Sequence, residues 1–134
     1  MSDPLLVPVS AGELFDKKTI LAIKRERIAD AGKQAHVRRE LALLEAVAAR
    51  MPASPELTAL QCRLQSVNER LWDLENTVRA FERAGDFGPD FVAAARSIYR
   101  GNDERAALKL RINELLGSTL VEAKEHAAAP HGDA

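Results

Sequence analysis

Lys24 and Arg27 stand three residues apart in the stretch GELFDKKTILAIKRERIAD, residues 12–30. On a helix, positions three apart project together. Two neighbouring cations repel unless an anion lies between them. This pair therefore calls for a partner: a carboxylate, with Glu75 and Glu82 of a later helix as the internal candidates, or a bound phosphate or carboxylate. Arg105 and Lys109 form a second basic pair one turn apart, with Asn113 at the next turn. Arg96 and Tyr99 are one turn apart just before them, and Asn102 and Asp103 open a helix start. Exposed N–H groups at a helix start, set beside guanidinium groups, make a sound anion site.

Each feature has an ordinary structural counterpart. Three of the four helical neighbours of Lys24 are Ile20, Leu21 and Ile28, and Lys17 sits between Leu14, Ile20 and Leu21. In such surroundings a long cationic side chain lays its stem on the core edge and lifts its charge into water. Lys17, Lys18 and Arg25 are expected to do this. Beside Trp72, the only tryptophan, Glu75, Arg79 and Glu82 follow at steps of three and four and can pair with one another. They read as the charged flank of a coiled coil or as a polar layer in a bundle. A capped helix beginning at Asn102 needs no ligand to explain it.

Catalytic signatures are missing. There is no Gly-rich phosphate loop, no G-x-S-x-G and no H-E-x-x-H. The paired acidic motifs that all-α nucleotide pyrophosphatases use for magnesium are not present either. His36, His126 and His131 lack metal-ligand spacing, and neither a metal nor a cofactor is expected. No reaction is implied.

The composition bounds the partners. Nineteen Lys and Arg face 20 Asp and Glu over 134 residues, a formal net charge of −1. Nucleic-acid binding requires a clear basic excess on one face, so nucleic acid is not an expected partner. Hydrophobic residues make up 46% and charged residues 29%, which suits one folded domain. Cys62 is the only cysteine, so no intramolecular disulfide forms. The start, MSDPLLVPVS, lacks a basic leader segment, and no stretch approaches the roughly 18 apolar residues of a membrane span. A cytoplasmic location is expected.

The elements that must position these side chains read as all-α. Ser10 precedes Glu13 at capping-box spacing, which predicts a first helix running to about Ala31, with Gly32 as its break. A second helix spans residues 33–50, and MPASP makes a turn. Ser54 caps a third helix whose Leu57, Leu60, Leu64, Val67, Leu71, Leu74, Val78 and Phe81 alternate steps of three and four. A heptad seam of this length predicts a helical hairpin or bundle, within the chain or across a homodimer formed through residues 55–84. Val67, Leu71 and Leu74 are expected to be buried. After AGDFGPD comes a short helix, FVAAARSIYR, then a break at Gly101 and a last helix from Asp103 to about Leu116. The expected architecture is a long hairpin in a bundle of four to five helices. A minor ribbon is expected between LVPV and TLVEA at the termini. Residues 1–124 form the domain, and 125–134 a flexible tail.

Four segments carry a resemblance: PVSAGELFDKKTILAIKRERI, VNERLWDLENTVRAFE, ARSIYRGNDERAALKLRINELLGS and LVEAK. Together they resemble a family of small bacterial helical proteins classed as a domain of unknown function. The pattern runs P-V-S-x-G-E-L-x-D-K, then I-x-K-x-E-R-I, L-W-D and R-S-x-Y-x-x-N-D-x-R-A. It falls here on Asp16 and Lys17; Lys24, Glu26 and Arg27; Trp72 and Asp73; and Arg96, Ser97, Tyr99, Asn102, Asp103 and Arg105. Lys18 departs from it, where a large aliphatic residue is usual. The resemblance implies a mainly polar signature, which a coiled-coil spacer would not need. It implies a ligand site built by Lys24, Arg27, Arg96, Arg105 and Lys109, with Glu75 or Asp103 orienting the ligand. The ligand class it suggests is a small anion such as a sugar phosphate or nucleotide sugar. The alternative is a homo-oligomeric scaffold or adaptor without catalytic activity.

Overall fold

The structure, a computed structural model, describes residues 3–118. Among the described residues four helices form in chain order: α1 Ala11–Arg27, α2 Ala31–Ala48, α3 Pro55–Ala84 and α4 Pro89–Leu116. Three begin on a side-chain cap, as their sequences dictate. Ser10 Oγ accepts from the Glu13 N–H at 3.1 Å, Asp30 Oδ2 from the Lys33 N–H at 2.8 Å, and Ser54 Oγ from the Leu57 N–H at 3.1 Å. α3 and α4 end on Gly85 and Gly117, both left-handed, with φ of 67° and 64°, where an L side chain is disfavoured.

α3 and α4 pack as a long antiparallel hairpin. α1 lies against both of them, and α2 packs mainly on α1, with its Ala48 and Leu44 at the edge of the main core. The main core is where α1 crosses the base of the hairpin. Leu14 and Phe15 of α1 meet Leu57, Leu60, Leu64, Val67 and Leu71 of α3 and Leu108 and Ile112 of α4. Full burial of each large side chain contributes about 1.5–3 kcal/mol. A smaller cluster of Leu21, Val37 and Leu41 holds α2 onto α1.

The all-α expectation is met with four helices, and two boundaries differ from the sequence reading. α4 does not break at Gly101. A Cβ at that position would stand 2.7 Å from Leu71 Cδ2, so the glycine admits α3 rather than ending the helix. The α1–α2 break is not at Gly32 either. It falls at Ile28–Asp30, because Asp30 caps α2 and Gly32 sits in its first turn. Gln34 closes this corner by donating to the carbonyls of Arg25 and Ile28, near the end of α1, and more distantly to that of Lys24, which also accepts the Ile28 N–H. Among the described residues there is no strand. Leu5 and Leu6 are each 93% exposed. The expected partner strand, residues 119–123, and the expected tail, 125–134, lie outside the described residues.

The α3 seam is buried only as far as α1 reaches. Val67 and Leu71 are buried, whereas Leu74, expected to be buried, is half-exposed. Arg27, the last residue of α1, pairs with Asp73, and beyond that point, among the described residues, α4 alone covers the seam. Leu71→Ala is expected to lower stability by about 2–5 kcal/mol in chemical denaturation, and Leu74→Ala by clearly less. Equal losses at the two positions would contradict this account of the seam.

Candidate functional site

Asp16 is 1% exposed, in the second turn of α1. A carboxylate cannot remain there without donors around it. Arg105 of α4 supplies two, with Nε at 2.9 Å from Oδ1 and Nη2 at 2.5 Å from Oδ2, a bidentate pairing. Asn68 of α3 adds a third, Nδ2 to Oδ1 at 3.0 Å, and also donates to Thr19 Oγ1 at 2.8 Å. Thr19 in turn donates to the Asp16 carbonyl at 2.7 Å. Lys109 Nζ lies 3.9 Å from Asp16 Oδ2 and 2.8 Å from Glu13 Oε2. Three helices thus converge on one buried carboxylate. The two acids and two bases cancel, so the cluster presents a positioned guanidinium rather than a net field.

The first turn of α1 is tied to the last turns of α4. The Gly12 N–H donates to Asn113 Oδ1 at 2.6 Å, and the Ala11 N–H to Ser118 Oγ at 3.3 Å. These bonds satisfy donors that a helix start leaves open. Gly12 makes the approach possible, since a Cβ there would stand 2.3 Å from the Lys109 carbonyl oxygen.

Arg105, 30% exposed, also lines an open cleft of about 410 Å³. Ile20, Ile23, Leu71 and Trp72 provide its apolar surface. Asn68, Asn76, Asn102, Glu75 and Arg79 provide its polar groups. Arg79 and Glu75 form a loose pair at 3.7 Å on the exposed side of α3. An apolar hollow with a few convergent polar groups is the usual form of a small-molecule site.

The residues singled out from sequence separate into groups. Arg105 and Glu75 share the cleft. Lys109 stands with Arg105 at Asp16, on the Glu13 side. Arg27 does not line the cleft: its Nη1 is 2.5 Å from Asp73 Oδ1. Asp73, rather than Glu75 or Glu82, is thus its carboxylate partner. Lys24 is half-buried and forms no ion pair among the described residues, and Arg96 is exposed; neither lines the cleft. Asp103 lines a different hollow of about 490 Å³, with Arg70, Leu74 and Gly101. Lys17 pairs with Glu40 at 2.8 Å, and Lys18 reaches over the Phe15 ring, 5.6 Å from its centre. Lys18 and Arg25 border a third groove, between α2 and α3.

The sequence reading passed over Asp16 as a site residue, and Thr19 with it. An Asp one turn from Ile20 and two turns from Ile23 is the available signal, because an acid on an apolar helix face needs partners. Among the described residues, no group of three or more His, Cys, Asp or Glu side chains is placed to hold a metal ion. No described helix is long and apolar enough to cross a membrane. No family model matches the chain, nor does any curated protein or solved structure, so the chemistry of this cleft carries the functional reading.

Proposed function

We propose that the protein binds a small anionic ligand in the Trp72–Arg105 cleft, of the class of a sugar phosphate or nucleotide sugar. One observation carries the reading: Arg105 is held by the buried Asp16 through two hydrogen bonds while still lining the open cleft. A guanidinium fixed in this way loses little freedom on meeting a phosphate or carboxylate. Arg79 offers a second guanidinium once the anion displaces the loose Glu75 contact. Trp72 gives a flat apolar wall for a ring; the Asn76 and Asn102 carboxamides can both donate to and accept from hydroxyl groups, and Asn68, whose N–H groups are held by Asp16 and Thr19, can accept. This site keeps Arg105 and Glu75 of the sequence-derived set and adds Trp72 and Arg79. Lys24, Arg27 and Arg96 are left to surface roles, and Lys109 supports Asp16 from behind.

The test is a thermal-shift screen against sugar phosphates, nucleotide sugars and dicarboxylates, since a ligand that binds only the folded state raises its stability. Trp72→Ala and Arg79→Ala are expected to abolish the shift given by the best ligand while leaving the unliganded protein folded, because both side chains are partly or largely exposed. Losing a charge-assisted contact of about 1.5–3 kcal/mol lowers affinity some tenfold to a hundredfold. If the screen gives no shift, or if both variants keep it, this cleft is not the site.

A further inference from the structure

The α3–α4 hairpin continues well past the helix that covers its base. Among the described residues, the stretch from Leu74 to Ala84, and back from Pro89 to Arg100, lies beyond the Arg27–Asp73 end of α1, which reaches it only at the cleft through Ile20 and Ile23; there α3 and α4 pack on each other. At 1.5 Å per residue this extension is about 16–18 Å long. Its apolar positions keep the heptad spacing of the buried base, yet Leu74, Val78, Phe81 and Phe91 are only half-buried. At the tip, Phe87 is 54% exposed and Val92 48%. Phe81, Phe91 and Phe87 stack edge to face, with centroids 6.5 and 5.2 Å apart. Two helices alone bury only the strip between them, so a seam of this type needs a further layer.

We propose that the covering layer is a second copy of this chain, its hairpin extension packed antiparallel on the first about a two-fold axis. The charges choose this occupant. The tip, residues 81–92, carries exposed Glu82, Asp86 and Asp90 against Arg83. The collar below it, residues 75–80 and 93–100, carries exposed Arg79, Arg96 and Arg100 against Glu75. The tip is thus acidic by two charges and the collar basic by two. Antiparallel overlap sets each acidic tip on the partner's basic collar, and a two-fold axis makes both contacts at once. The arrangement completes a local four-helix bundle. Two helices of this length offer roughly 1,000 Å² of total burial, the lower end for a specific interface, so the dimer is a reversible one.

The experiment is sedimentation equilibrium of the full chain over a wide range of concentration, with circular dichroism as the folding control. The expected result is the mass of two chains at high concentration, and of one chain for Phe87→Glu and Val92→Glu at unchanged helicity. Arg96→Glu with Arg100→Glu is expected to break the dimer. Adding Asp86→Lys and Asp90→Lys to that variant is expected to restore it, because both partners are then reversed. A single-chain mass at every concentration overturns the proposal. So does a dimer that survives Phe87→Glu and Val92→Glu, since its contact then lies elsewhere, or a collar reversal that the tip reversal does not rescue.

Discussion

Asp16→Ala is expected to lower the free energy of unfolding by about 3 kcal/mol, measured by chemical denaturation. Removing one partner of a buried ion pair typically costs about 3–5 kcal/mol. The lower end applies because Arg105 remains 30% exposed and regains some water. The loss comes from what is left behind. Arg105 Nε and Nη2 and Asn68 Nδ2 all lose an acceptor together, and the Asn68 donor is buried. Asp16→Asn should fall between wild type and Asp16→Ala, since the amide keeps one acceptor oxygen but turns a donor towards Arg105. The pair need not stabilise the fold relative to apolar side chains of the same volume. Its signature is therefore coupling: Asp16→Ala with Arg105→Ala should cost at least about 1 kcal/mol less than the sum of the single changes. A loss below about 0.5 kcal/mol for Asp16→Ala, the range of ordinary surface changes, or strict additivity of the two, would remove the cluster from the account of stability.

Gly12→Ala is expected to destabilise by about 3 kcal/mol, and its sign is the informative part. In an unobstructed helix, alanine in place of glycine stabilises by about 0.5–1 kcal/mol through backbone entropy. At Gly12 the new Cβ would stand 2.3 Å from a backbone oxygen, that of Lys109. Backbone cannot rotate aside, so α1 and α4 must separate, loosening the bond from the Gly12 N–H to Asn113 and the contacts at Asp16. Overpacking of this kind costs about 1–3 kcal/mol, and more when backbone has to shift. Two other glycines calibrate it. At Gly101 the obstacle is the Leu71 side chain at 2.7 Å, which can move, so Gly101→Ala should cost less. At Gly32 the nearest atom is Asp30 Oδ2 at 3.3 Å on an exposed first turn, so Gly32→Ala should be neutral or stabilising. Thermal melts of the three variants give the order directly. Any other order means that these helix separations do not govern the response.

The helix starts at Ser10 and Ser54, the Gly85 stop and the α3 seam are all present in the one-dimensional pattern. Capping and heptad burial are local effects, set by residues within one or two turns of each other. Gly101 and Gly32 show the limit of that legibility. A glycine in a helical pattern reads as a break, and whether it is a break or a contact depends on what lies opposite; Leu71 lies opposite Gly101, 30 positions away. Asp30, two residues before Gly32, outweighed it as a boundary because a side-chain cap is available there.

The candidate site divides in the same way. The sequence determined which cations are present and which of them share a helix face: Arg105 with Lys109, and Lys24 with Arg27. The tertiary structure decided which carboxylate each one meets. Asp16 took Arg105 across 89 positions, and Asp73 took Arg27 across 46. Coulomb attraction and hydrogen bonding depend on separation in space, and a sequence records separation only along the chain. The same holds for exposure, since Leu71 and Leu74 are equivalent in the heptad and differ only because α1 ends between them.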